Sequence, residues 1–312
     1  MTLHGGGSDS ALQLDWWSGG VDAKGERQGQ GTRHGYIVIA IDWAKSDQSM
    51  YEYSAREHAA VLGCLRDASR RFAIDSDRVF LSGHSIGGDA AWDIALAHPD
   101  LWAGVIPIVA QSDRYCALYS DNAEQLAWYF VGGELDGNKA TKNSRDLDRY
   151  LKNPDCDVMV VEFMGRGHEN FFDEIQNLFD WMGHHERNFH PKQFQVAAAR
   201  PWDNFFWWIE VQQFPEKTLI EPASWPPKRG FRPAQIKGNA LSNNSLSIMT
   251  GMDKLTLWLS PEVVDFDQPI RIRINGTPIN NLGSIEPSLE VLLEDVRTRA
   301  DRLHPFWAKV ER

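Results

Sequence analysis

The sequence predicts an α/β fold: a mostly parallel sheet flanked by helices over residues 1–190, then a small β-rich accessory domain over residues 195–312 that closes in a helix. Three observations carry the prediction. Short, wholly apolar runs alternate with helix-length segments in the first half, a glycine-flanked serine falls at one strand-to-helix junction, and the apolar period drops to two in the second half.

Residues 36–41 (YIVIAI), 78–81 (RVFL), 103–109 (AGVIPIV), 128–131 (WYFV) and 158–163 (VMVVEF) read as strands without polar alternation. Burial on both faces is therefore expected, which is the habit of parallel sheets. Helical patterns over residues 52–72, 87–97, 144–151 and 171–181 lie between or beyond these strands, and each is long enough for a crossover connection. Near residue 190 the pattern changes. Residues 245–249, 254–259 and 269–274 alternate, most plainly where Arg271 and Arg273 separate Ile270, Ile272 and Ile274, so half-buried antiparallel strands are expected. Asn275-Gly276 is a turn signal. From Pro287 onward Leu289, Leu292, Leu293 and Val296 fall at helical spacing, and the chain is expected to end in an amphipathic helix packed on those strands.

Composition narrows the function. The 312 residues carry a net charge of -11, with Lys and Arg scattered, so there is no electrostatic footprint for nucleic acid. No run approaches the roughly 18–20 apolar residues of a membrane span, and Met1-Thr2-Leu3-His4-Gly5 lacks the basic and apolar regions of a signal peptide. A small-molecule substrate is the expected partner. Cys64, Cys116 and Cys156 are too few and too scattered for a disulfide or zinc framework, and read as buried thiols. His184, His185 and His190 lie in a polar stretch without an HExxH pattern, so neither metal nor cofactor is expected.

The chemistry gathers around Gly83-His84-Ser85-Ile86-Gly87-Gly88. A sharp strand-to-helix turn forces its serine into a strained backbone conformation and leaves no room for side chains two residues either way, which accounts for Gly83 and Gly87. Ser85 then stands at a helix N-terminus, where developing negative charge is favoured. His4-Gly5-Gly6-Gly7 offers side-chain-free amides for an oxyanion, with Gly6, Gly7 and the amide of Ile86 as the candidate donors. Serine needs a base, and the base needs an acid to hold its tautomer. His168 in Gly165-Arg166-Gly167-His168-Glu169 follows the last parallel strand, and Asp136 in Gly132-Gly133-Glu134-Leu135-Asp136-Gly137 follows the strand before it. Both loops leave carboxyl ends of strands, on the side that carries Ser85. Glu134 is the rival acid, and loop position prefers Asp136. His84 reads as a structural or pocket-lining neighbour.

LHGGG, GHSIGG, GELDG and GRGHE, in this order and spacing, resemble the α/β-hydrolase superfamily, particularly its esterase and prolyl-oligopeptidase-like branches, over about residues 1 to 185. That resemblance implies attack by Ser85 to form an acyl-enzyme, proton relay by His168, orientation of His168 by Asp136, and hydrolysis by water. The HGGG loop favours a carboxylic ester, with a serine peptidase acting on short peptides as the alternative. A binding or assembly protein with a vestigial hydrolase domain is the reading of another class. Members of the superfamily carry antiparallel strands ahead of the HGG strand; here Met1-Thr2-Leu3 stands at that strand's place, so a trimmed chain is expected, and with it a lost leader.

Two aromatic clusters remain. Trp16 and Trp17 either wall the acyl or leaving-group pocket or form a buried structural pair. Residues 203–208 (DNFFWW) read as an apolar strand sealing the interface between the two domains, in preference to a stacking platform.

Overall fold

The computed structural model describes residues 1–45, 47–252, 254–279 and 283–312. Strands β1 (Thr2–Leu3), β2 (Ala40–Ile41), β3 (Phe80–His84), β4 (Gly104–Ile108), β5 (Ala127–Gly133) and β6 (Asp157–Phe163) form a sheet in the order β2-β1-β3-β4-β5-β6. Every pairing in it is parallel. Helices α1 (Ser10–Ser18), α2 (Gln30–Arg33), α3 (Ala55–Arg71), α4 (Ile86–Ala97), α5 (Tyr115–Leu118), α6 (Lys139–Lys152) and α7 (Ile175–Met182) cover it. Two apolar cores separate the layers. Val61 and Leu65 of α3, Trp92 of α4 and Tyr150 of α6 pack one face around Trp128 and Phe130. Trp17 of α1 and Leu178, Phe179 and Trp181 of α7 pack the other around Phe80 and Tyr129. A fully buried aromatic such as Trp92 contributes on the order of 3 kcal/mol before entropy offsets it. α3 starts where a capping box allows, Ser54 and Glu57 satisfying each other's backbone N–H groups.

Two strand expectations need correction. The run 36–41 contributes only Ala40–Ile41 to the ladder. The run 158–163 lies in β6, an edge strand, and is not buried on both faces: Met159 and Val160 are 45% and 41% exposed. An apolar run has the same composition at the edge of a sheet as at its centre. Helix α1 had no counterpart in the sequence reading, although Asp9 caps it by accepting the N–H of Leu12.

The second half forms two sheets. Strands β7 (Gln193–Ala198), β8 (Phe205–Phe206), β9 (Ile209–Gln213), β10 (Ala234–Leu241), β11 (Ser245–Thr250), β12 (Lys254–Leu259), β13 (Arg271–Ile274), β14 (Thr277–Pro278) and β15 (Ala308–Glu311), with helix α8 (Leu289–Arg299), divide into the orders β14-β13-β11-β10-β7 and β15-β12-β9-β8. β11 and β13 pair in parallel, which corrects the antiparallel expectation for them. Alternation reports that one face is buried and carries no information about direction; β12 leaves for the other sheet between them, so β13 returns in the same sense as β11. β12 itself is buried from Leu255 to Leu259 rather than half-buried. The chain also continues past α8 into β15, and α8 keeps Leu289 and Leu293 largely exposed while burying Asp295. Asp295 is held by Arg299 and by the N–H of Phe306 at 2.9 Å. Phe206, Trp207 and Trp208 fill the core between the two sheets instead of sealing the interface with the first half.

That interface is mixed: Ala197, Ala199 and Ile220 pack into the same core as Trp92 and Tyr115, and a buried polar network crosses beside them. Asn122 donates to Leu96 O at 2.7 Å and Ala197 O at 3.0 Å and accepts the N–H of Ala197 at 2.7 Å. Arg200, fully buried, donates to Asp93 at 2.8 Å and Asp203 at 2.6 Å. Tyr119 donates to Asp203 and accepts the N–H of Ala199. Such groups are tolerable in a low-dielectric interior only because they are paired.

Candidate active site

Ser85 links β3 to α4 with φ 55° and ψ -120°, a positive φ that a side-chain-bearing residue adopts only under constraint. The constraint is crowding. A Cβ on Gly83 would stand 2.0 Å from Gly87 O, and one on Gly87 would stand 2.4 Å from Leu3 O and 2.5 Å from His4 O. Both glycines are therefore demanded by contact, as the sequence reading expected. The N–H of Ser85 donates to Ile108 O at 2.9 Å, which ties the elbow to β4.

His168 Nε2 lies 3.0 Å from Ser85 Oγ, and its Nδ1 lies 2.9 Å from each oxygen of Asp136. An ionised carboxylate only accepts, so Nδ1 carries the hydrogen and Nε2 is left to accept from the serine. Glu134, the rival acid, turns away and accepts the N–H of Gly165 at 2.7 Å. It braces the histidine loop. That loop and the Asp136 loop are joined further by Leu135 N–H donating to Arg166 O at 2.8 Å, and a Cβ on Gly133 would meet Gly167 O at 2.4 Å.

Sequence reasoning missed Lys139. At the start of α6 its ammonium donates to Val109 O, stands 3.5 Å from Asp136 Oδ2 and faces His168 Nδ1 at 3.4 Å. Both Nδ1–H and the ammonium are donors, so the carboxylate between them is shared. Nothing in the run KATKNSRDL distinguishes this lysine from a solvated one. Asp89, behind the elbow, accepts the N–H of Gln111 at 2.6 Å, and burial raises its carboxyl to about 6.

The glycine loop runs beside the serine. A Cβ on Gly5 would lie 3.3 Å from Ser85 Cβ, one on Gly6 would lie 3.7 Å from Ile86 Cδ1, and Gly7 takes φ +71° in open space. Ile86 is the first residue of α4, so its N–H has no partner within the helix. His4 is buried, with its carbonyl held by Trp43 Nε1 at 3.1 Å.

His84 does not face the serine's partners. Its Nε2 contacts Asn170 O at 3.2 Å, and a carbonyl only accepts, so Nε2 carries the hydrogen and Nδ1 accepts from Gln13 Nε2 at 3.0 Å. Burial lowers its pKa to about 4, so the ring is neutral. It works as a latch between α1 and the histidine loop. Trp16 packs edge-on over His84 at 4.7 Å, donates to Asn170 O at 3.0 Å and is half-buried, with Phe172 at 5.8 Å. Trp17 is a buried structural residue whose indole donates to Thr2 Oγ1 at 2.9 Å. The pair thus divides, one ring beside the site and one beneath it.

The strand order, with the glycine-loop strand between its successor and the elbow strand, and the serine elbow at the carboxyl edge define an α/β-hydrolase fold bearing a Ser–His–Asp array. No family model matches the chain, and no curated protein matches it in sequence. Among solved structures it is similar to esterase PE8, at 15% identity over 58% of this chain and 89% of that one, with a TM-score of 0.42. It is also similar to FphF, a fluorophosphonate-binding serine hydrolase of Staphylococcus aureus, at 16% identity over 58% and 82% with a TM-score of 0.45. SOBER1 of Arabidopsis thaliana stands at 14% identity over 58% and 95%, with a TM-score of 0.41. The class rests on this chain's own topology and geometry.

Proposed function

We propose that the protein is a serine hydrolase that cleaves a carboxylic ester through an acyl-enzyme, with residues 1–190 as the catalytic domain and residues 195–312 as an accessory domain. The observation that carries this reading is the continuous hydrogen-bonded line from Ser85 Oγ through His168 to Asp136 at a strained elbow. His168 Nε2 takes the serine proton as Oγ attacks the carbonyl carbon, and Asp136 stabilises the imidazolium that results. The negative charge on the substrate oxygen falls between the N–H of Ile86 and the amides of Gly6 and Gly7 in the glycine loop, where preorganised donors are most effective. His168 then returns the proton to the leaving alcohol, and a water deprotonated by the same nitrogen releases the acid. Trp16 and Phe172 offer an apolar wall for the ester's organic part.

A fluorophosphonate probe should label the wild type at one residue and leave Ser85→Ala unlabelled, and p-nitrophenyl esters should turn over with the same dependence on Ser85. Labelling that survives Ser85→Ala would end the reading. Turnover confined to aminoacyl or prolyl p-nitroanilides would move the substrate from esters to peptides while keeping the same residues.

A further inference from the structure

A second cluster of reactive side chains lies away from Ser85, at the interface between the two halves. His58 on α3, His98 at the end of α4 and Asp203 after β7 are all buried. His58 Nδ1 is 3.2 Å from His98 Nε2, and Asp203 Oδ1 lies 3.8 Å from the former and 3.9 Å from the latter. The point in their common plane equidistant from these three atoms lies about 2.1 Å from each, within bonding range of zinc to imidazole nitrogen and carboxylate oxygen, and a fourth ligand would draw the ion out of that plane as Asp203 Oδ1 closes by a few tenths of an ångström on the two imidazoles.

Hydrogen bonding alone leaves this arrangement incomplete. A proton between the two imidazoles satisfies His58 and His98, but Asp203 Oδ1 then has no partner, and it is a buried carboxylate oxygen without one in the structure. Separations of 3.8 and 3.9 Å are too long for hydrogen bonds and suit two ligands of one ion. Asp203 Oδ2, in contrast, is fully engaged by Arg200 and Tyr119. His58 Nε2 is 2.9 Å from Tyr51 Oη, whose own hydrogen goes to Asp93 Oδ2 at 2.7 Å, and 3.2 Å from that same carboxylate oxygen, so it donates toward this pair and turns Nδ1, with its lone pair, toward the centre. A carboxylate that orients a ligating histidine in this way is the usual support of a bound metal.

We propose that His58 Nδ1, His98 Nε2 and Asp203 Oδ1 form a site for one divalent transition ion of the zinc type. A cavity of about 660 Å³, lined in part by His58, His98 and Trp202, borders two of the three donors and offers an entry path. The site is structural. His98 caps the end of α4 opposite Ser85, and twelve residues of helix separate them by roughly 18 Å, beyond any direct part in acyl transfer. The ion joins α3 and α4 of the first half to the β7–β8 connection of the second.

The test uses the full chain, stripped with a chelator and titrated with zinc or cobalt(II). The wild type should bind one equivalent resistant to gel filtration, show a melting temperature that rises until one equivalent is reached, and give the visible absorption of four-coordinate cobalt. His98→Gln should lose all three while still labelling at Ser85 with a fluorophosphonate; it is preferred to Asp203→Asn, which also disturbs Arg200 and Tyr119. Absence of binding by the folded wild type overturns the proposal. So does binding that persists in His98→Gln, which would place the ion on other histidines.

Discussion

Replacing Asp136 by Asn tests the hydrogen-bonded line with almost no change in shape. Both oxygens of Asp136 sit 2.9 Å from His168 Nδ1, so the wild-type ring is held with its hydrogen on Nδ1 and its lone pair toward Ser85, 3.0 Å away. An amide can present its NH₂ to Nδ1. The hydrogen then moves to Nε2, pointing at Ser85 Oγ, and the base has lost the lone pair with which it would take the serine proton. The loss of kcat expected for a wrong tautomer in such an array is about 10⁴, equivalent to about 5.5 kcal/mol of transition-state stabilisation. Lys139 keeps its bond to Val109 O in the variant, and the fold should be preserved. The assay is p-nitrophenyl ester hydrolysis beside thermal unfolding, with Glu134→Gln as the control because the Glu134 carboxylate accepts the N–H of Gly165 rather than a hydrogen of His168. A loss of less than about tenfold in Asp136→Asn, or a larger loss in Glu134→Gln, would refute the assignment of the acid.

Three further outcomes follow from the packing. In Gly87→Ala the new methyl meets two backbone carbonyls, of Leu3 and His4, that cannot rotate away; displacement of the glycine loop should lower ester turnover by roughly 100-fold, measured on protein shown to be folded. In Arg200→Met two carboxylates lose their buried partner, and denaturant unfolding should show a loss of about 3–5 kcal/mol. Asp100 is buried with Oδ1 unpartnered, and burial raises its carboxyl to about 7 despite the nearby Arg187 and Arg299. Because the folded value lies above the unfolded one, the favourable contribution is present at low pH and is lost as pH rises through about 7. Melting temperatures of wild type and Asp100→Asn, taken between about pH 5 and pH 8, should diverge in favour of the variant as the pH rises.

What could be read from the sequence was set by range. The elbow was legible because both its crowded positions are glycines: Gly83 avoids a contact four residues on, with Gly87 O, while Gly87 avoids the carbonyls of Leu3 and His4, which belong to the glycine-loop motif also marked in the sequence. Asp136 and His168 were legible through order along the chain and their places after β5 and β6. Lys139 was not, because its partners, Val109 O and Asp136, are brought to it by separate loops. The same holds for Arg200, Asp203 and His58, whose meaning lies in pairings across more than a hundred residues. Direction and edge position failed for another reason: the side-chain pattern of β13 or β6 records which faces are covered, and neither neighbour nor sense is encoded there.

The edge position of β6 has a consequence for handling the protein. A terminal strand offers unpaired amides and carbonyls along one side, and Met159 and Val160 are exposed on this one, so another chain can add to it as a further strand. Asp157 and Glu162 are the charges within the strand, and the chain as a whole carries -11, so copies repel one another near neutrality. Toward the isoelectric point near 5.4, or in concentrated salt, that repulsion fades while the edge remains. Self-association, rather than unfolding, should then set the lower end of the working pH range, and it would begin on the strand that leads into the His168 loop.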